Sequence, residues 1–163
     1  MKRTIIVTII LSLALFVSST TVFANEISVV IDGQRIEFQD QPPIIIDGST
    51  FVPIRAAAEH IGLTVTWNQA AQTVNLLSND VAVGLQAGSN LVLVADARTG
   101  MEIRRHTLNA SPRIHNGRLI LPIRVIMEEF GCEVDWDPAT RTIDITTTEA
   151  TWSQMSRTIV IGE

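Results

Sequence analysis

The chain carries the same passage twice, 69 residues apart, and an internal repeat narrows the choice of fold more than any other sequence feature. Residues 43–76 align without a gap on residues 112–145. Pro43, Ile45, Gly48, Pro53, Ile54 and Arg55 recur as Pro112, Ile114, Gly117, Pro122, Ile123 and Arg124. Glu59, Gly62, Val65, Trp67, Ala70 and Thr73 recur as Glu128, Gly131, Val134, Trp136, Ala139 and Thr142. Chance does not reproduce that order of Pro, Arg, Glu, Gly and Trp. Both passages must build one supersecondary unit.

The unit can be read from its punctuation. Asp47-Gly48 and Asn116-Gly117 are tight-turn dipeptides between apolar runs, which predicts a β-hairpin. Pro53 and Pro122 suit a first helical position, where the missing N–H would have no partner in any case. Residues 53–61 and 122–130 then show apolar side chains at helical spacing: Ile54, Ala57, Ala58 and Ile61, and Ile123, Ile126, Met127 and Phe130. Gly62 and Gly131 stand where a left-handed cap ends a helix. After each glycine the period becomes two, with Leu63, Val65 and Trp67, or Cys132, Val134 and Trp136, on one face. Turns at 68–72 and 137–141 lead to a last strand at 73–76 or 142–145.

The fold expected is therefore α+β: an antiparallel β-sheet wrapped around a single helix, duplicated as two pseudo-repeats at 25–90 and 91–163, either separate or one continuous domain. Residues 27–31 and 36–38 flank Asp32-Gly33 as a further hairpin. Residues 81–85, 91–95 and 101–108 read as linking strands. Residues 158–161 resemble 81–85 and are expected to close the second sheet.

The first 24 residues read as a secretory signal peptide. Lys2 and Arg3 precede an apolar stretch over residues 5–17, and Val22-Phe23-Ala24 offers a cleavage site. The stretch is shorter than the roughly 20 residues that span a bilayer. Cleavage leaves 139 of the 163 residues, enough for one ordinary domain. It also removes Lys2 and Arg3 from the 12 basic residues, leaving ten arginines against 17 acids. That acidic balance, without a basic cluster, argues against nucleic acid and anionic membrane as partners. Cys132 is the only cysteine, so no internal disulfide can form and packing must supply stability.

The pattern Asp-Gly-x-x-Phe-Val-Pro-Ile-Arg-x-x-x-Glu-x-x-Gly-x-x-Val-x-Trp, running from Asp47 to Trp67, resembles the copper amine oxidase N-terminal-like, or stalk, domain family. The resemblance covers nearly all of the chain after the leader. It implies a five-stranded antiparallel sheet twisted around a helix, in an exported protein of Gram-positive bacteria. It does not imply the oxidase. Those enzymes convert a tyrosine into a quinone cofactor and bind copper through three histidines. This sequence has no tyrosine, and its three histidines, His60, His106 and His115, lack paired spacing.

Candidate sites are few. Arg55/Glu59 and Arg124/Glu128 lie four apart on their helices, and recurrence in both copies favours architecture over ligand binding. Trp67 and Trp136 share a strand face with valine and are expected in the core. Trp152 has no repeat partner and is the candidate for an exposed contact or, equally, a lid over the second core. Glu133, Asp135, Asp137 and Asp144 are expected to form a solvated acidic face. Cys132 replaces Leu63 and should behave as a small buried hydrophobe. There is no Gly-x-Ser-x-Gly, phosphate loop or His-Glu-x-x-His.

The expectation is a non-enzymatic secreted, extracellular or cell-wall-associated module without metal or cofactor. It would bind cell-wall glycan or an extracellular protein, or act as a spacer. A small extracellular metal-binding or redox accessory protein is the alternative. A binder should show an exposed aromatic or polar groove between the two units; a spacer should not.

Overall fold

The computed structural model describes residues 26–155. The leader and residues 158–161 lie outside the described residues, as does the side chain of Trp152. Among the described residues no helix is long and apolar enough to cross a membrane.

The chain opens with β1 (Ser28–Ile31) and β2 (Gln34–Arg35). Next come β3 (Ile44–Ile46), β4 (Ser49–Pro53), α1 (Ile54–His60), β5 (Thr64–Asn68) and β6 (Thr73–Leu77). Three strands follow, β7 (Val81–Gln86), β8 (Leu91–Asp96) and β9 (Glu102–Thr107). The order strand, strand, helix, strand, strand then recurs: β10 (Arg113–His115), β11 (Arg118–Pro122), α2 (Ile123–Glu129), β12 (Glu133–Asp137) and β13 (Thr142–Thr146). A further helix, α3 (Glu149–Met155), ends the described chain.

Local chemistry explains the turns. Asp32-Gly33, Asp47-Gly48 and Asn116-Gly117 all have positive φ at both residues, the geometry of the two-residue hairpin whose twist matches its strands. Gly62 and Gly131 have φ of 86° and 77°, the left-handed conformation that ends α1 and α2. The prolines sit one residue earlier than expected. Pro53 and Pro122 close strands β4 and β11 and act as N-caps with extended backbone. A proline can hold both posts because its ring fixes φ near −65° and it has no N–H to leave unsatisfied.

The strands divide into three sheets, with orders β12-β13-β1-β2, β10-β11-β4-β3 and β5-β6-β7-β8-β9. This departs from one sheet per unit around one helix, because backbone edges pair across the chain. The hairpins β3–β4 and β10–β11 join edge to edge through β4 and β11, which run antiparallel and place Phe51 opposite Pro122 and Pro53 opposite Ile120. Strand β1 runs parallel to β13, placing Val29 opposite Ile143. It thereby takes beside β13 the place that β7 takes, antiparallel, beside β6. An entirely antiparallel architecture is thus corrected by one parallel pair. Strands β8 and β9 extend the sheet begun by β5, so the sequences either side of residue 90 belong to one sheet.

The buried side chains of both halves form one hydrophobic cluster. Val52, Ala57, Leu76 and Val83 from the first half meet Leu121, Ile126, Phe130 and Ile145 from the second. The helix faces that enter it are those expected from the apolar spacing. Helix α3 seals one end. Thr148 and Thr151 both donate hydroxyl hydrogen bonds to the Gly131 carbonyl, at 2.6 and 2.9 Å.

Candidate functional site

Two grooves border the β10-β11-β4-β3 sheet. The first has a volume of about 650 Å³ and is assembled from four separated segments. Strand β5 contributes Val65 and Trp67, the start of α1 contributes Ile54 and Arg55, and the β10–β11 hairpin contributes Ile114 and Leu119. The loop over residues 37–41 forms the remaining wall. Two polar ties hold that loop to the hairpin. Asn116 Nδ2 donates to Gln41 Oε1 at 2.9 Å, and Arg118 pairs with Asp40. Gln41 is buried and also donates from Nε2 to the Pro42 carbonyl, so its amide is spent on structure.

The second groove, of about 470 Å³, is built by the equivalent pieces. Val134 and Trp136 replace Val65 and Trp67, Arg124 replaces Arg55, and Ile45 and Gly48 of the β3–β4 hairpin replace Ile114 and Gly117. Each groove therefore combines the helix and strand of one half with the hairpin of the other. This follows from the β4–β11 pairing, which carries each hairpin across to the opposite half.

The two tryptophans are half-buried, packed against the core and forming groove walls. Strand alternation alone predicts them in the core; each instead packs on the core with part of its ring and forms a groove wall with the rest. Trp67 Nε1 donates to Gln69 Oε1 at 2.9 Å, which fixes the plane of its indole.

The Arg-Glu pairs differ between the halves. Arg55 Nη1 donates to Glu59 Oε1 at 3.0 Å, and both side chains are more than half exposed. Arg124 stands 3.7 Å from Glu128 and instead donates to the Val134 carbonyl on β12. In the second half the arginine therefore fastens helix to strand.

The remaining candidates are scattered. His60 ends α1, His115 ends β10, and His106 lies on β9 with Nε2 2.7 Å from Glu129 Oε1. Arg104 donates to the same carboxylate, whose side chain is only 9% exposed. Among the described residues no three of His, Cys, Asp and Glu converge to hold a metal. Cys132 is buried, and burial pushes its thiol up, opposed by a 3.7 Å hydrogen bond from Thr151 Oγ1 and reinforced by the charge of Asp32. A thiol held protonated is a poor nucleophile. Glu133, Asp135, Asp137 and Asp144 are exposed on one sheet face, with Asp135 directly opposite Asp144.

Sequence reasoning passed over Gln39, Asp40, Gln69, Gln72 and Arg118, all of which line the first groove. A signal for them existed. At the 69-residue offset they stand opposite Leu108, Asn109, Pro138, Arg141 and Ser49, differences within the repeated passage or just before it.

Comparison with known proteins gives a consistent picture. The model of the copper amine oxidase N-terminal domain matches residues 30–145 and also residues 100–161. A protein of Brevibacillus choshinensis named "Protease inhibitor" is 33% identical over 131 residues, covering 78% of this chain and 37% of that protein. The chain thus spans little more than a third of that relative's length.

Proposed function

Because the chain belongs to the copper amine oxidase N-terminal domain family, we propose that it is a non-catalytic, exported, duplicated module that binds an extracellular partner in the groove beside Trp67. The observation that carries this reading is the groove itself. A spacer has no need of a concave surface between its halves, lined by an anchored indole and framed by a loop with two polar ties. Concave sites with an apolar lining and a few placed polar groups are where proteins take ligands. The sequence lends no support to catalysis: it holds no tyrosine for a quinone, and its lone thiol is buried. The signal-peptide pattern of residues 1–24 supports export, and the family resemblance supports a partner on the Gram-positive cell surface.

Cosedimentation of the chain lacking residues 1–24 with purified Gram-positive cell walls tests the proposal. Saturable pelleting that weakens in Trp67→Ala is the expected result. Equal pelleting of a folded Trp67→Ala variant would move the contact away from the groove. Absence of pelleting with walls and with extracellular proteins alike would leave a spacer.

The relative's name favours a second reading, protease inhibition. Incubating the chain with a secreted bacterial serine protease and a peptide substrate tests it. Stoichiometric loss of protease activity would replace the wall-binding reading.

A further inference from the structure

The two grooves provide an internal control, because residues shared by both serve the common framework and residues found in one alone mark what that groove has acquired. Pro53, Ile54, Arg55, Val65 and Trp67 have identical counterparts in Pro122, Ile123, Arg124, Val134 and Trp136. Among the residues peculiar to the first groove, beside the mutually paired Asp40 and Arg118, are three amides, Gln39, Gln69 and Gln72, where the second half has Leu108, Pro138 and Arg141. From this difference we infer that the first groove is a saccharide site that takes a neutral, N-acetylated glycan. The inference rests on the binding role proposed above and specifies its ligand.

The chemistry of the groove selects the class. Trp67 has committed its only polar atom to Gln69, so what it offers a ligand is the flat apolar face of a fixed indole. A pyranose ring presents a face of C–H groups of matching size. The side chains of Gln39 and Gln72 make no hydrogen bond within the described residues and are exposed at the rim. Each amide supplies two donors and an acceptor with two lone pairs, the capacity that hydroxyl and acetamido groups require. The charges around the groove are already matched. Asp40 pairs with Arg118, Arg55 with Glu59, and Glu37 with Arg35, leaving no charge in excess for an ionic ligand. Phe38, Leu119 and Ile114 line the same groove, giving an acetamido methyl an apolar seat. The volume of about 650 Å³ falls in the range of small-molecule sites.

The experiment titrates the chain lacking residues 1–24 with chitotriose, with cellotriose as the comparator that lacks acetamido groups, reading tryptophan fluorescence and calorimetric heat. Saturable binding of chitotriose is expected, with cellotriose weaker by about tenfold or more, a difference of about 1.4 kcal/mol. Gln72→Ala and Gln39→Ala alter exposed side chains and should keep the fold while weakening chitotriose by about tenfold. Trp67→Phe should abolish the fluorescence response while Trp136 and Trp152 remain. Equal binding of the two trisaccharides would overturn the acetamido assignment. Absence of chitotriose binding by a protein that still pellets with walls would overturn the saccharide site and leave the binding role intact. Absence of both would remove the two together. Loss of binding in a Leu108→Ala variant that still melts cooperatively, with Gln72→Ala unaffected, would also overturn the assignment.

Discussion

Val52 and Leu121 occupy equivalent places in the two passages, 69 residues apart, and face each other across the β4–β11 pair with both side chains fully buried. The pairing is its own image: Phe51 meets Pro122 on one side and Pro53 meets Ile120 on the other. The junction of the halves is thus a stretch of continuous sheet inside one core. Leu121→Ala should cost about 2–5 kcal/mol, read by urea denaturation, and the variant should still unfold in one transition. Two resolved transitions, with only the second shifted, would mean that the halves fold separately.

The two arginines of the repeated motif should differ in worth. Arg124 donates to the Val134 carbonyl and fastens α2 to β12, whereas Arg55 pairs only with exposed Glu59. Removing a hydrogen bond from a charged donor costs about 1.5–3 kcal/mol, while exposed helix pairs give about 0.3–0.5. Arg124→Ala should therefore lower the melting temperature distinctly more than Arg55→Ala. Equal losses would show that Arg124 does no more than its counterpart.

Gly131 is constrained twice. Its φ is 77°, and an added Cβ would stand 3.1 Å from Ala150 Cβ and 3.3 Å from the Thr151 nitrogen, against the helix that seals the core. Gly88 has a φ of 80° with open space around it. Gly88→Ala should cost the left-handed penalty of about 1–2 kcal/mol. Gly131→Ala should cost more, and equilibrium denaturation of the two variants separates the strain from the contact.

Asp135 and Asp144 face each other on neighbouring strands, where like charges destabilise. The first half has Thr66 opposite Asn75 at that place. Asp144→Asn should raise stability by about 0.2–1 kcal/mol at neutral pH and low salt. The gain should shrink as salt is added, since the charges are exposed. A gain unchanged in high salt would point to a cause other than repulsion.

Acid should weaken the fold through two turns. Hydrogen bonds from the Thr99 backbone and hydroxyl and the Arg98 backbone hold the Asp96 carboxyl below its usual value. The Thr140 hydroxyl and the Ala139 backbone do the same for Asp137. A carboxyl lowered in the folded state binds fewer protons than in the unfolded chain. Its contribution is full above the ordinary aspartate pKa of about 3.9 and is lost as pH falls through the lower folded value. Asp96→Asn and Asp137→Asn should each flatten the acid limb of a stability–pH curve below about pH 4. An unaltered limb in both would place the acid sensitivity elsewhere.

The local units are written in the order of residues. Asp47-Gly48 and Asn116-Gly117 dictated hairpins, Gly62 and Gly131 ended helices, and the change of period after each glycine placed β5 and β12. These signals lie within a few residues of the structure they encode, because they act through backbone torsions and side-chain spacing. Which edges meet is settled by packing in three dimensions. A strand edge presents the same N–H and C=O groups whatever its side chains, so nothing in Ser28–Ile31 announces a parallel partner at Thr142–Thr146, and nothing in Ser49–Pro53 announces Arg118–Pro122. The groove depends on that second choice. Gln39, Trp67 and Ile114 are far apart in the chain and become neighbours because β4 and β11 share a ladder. Trp67 and Trp136 show the same limit: alternation set the face they point to, and tertiary packing left each ring half-buried in a groove wall.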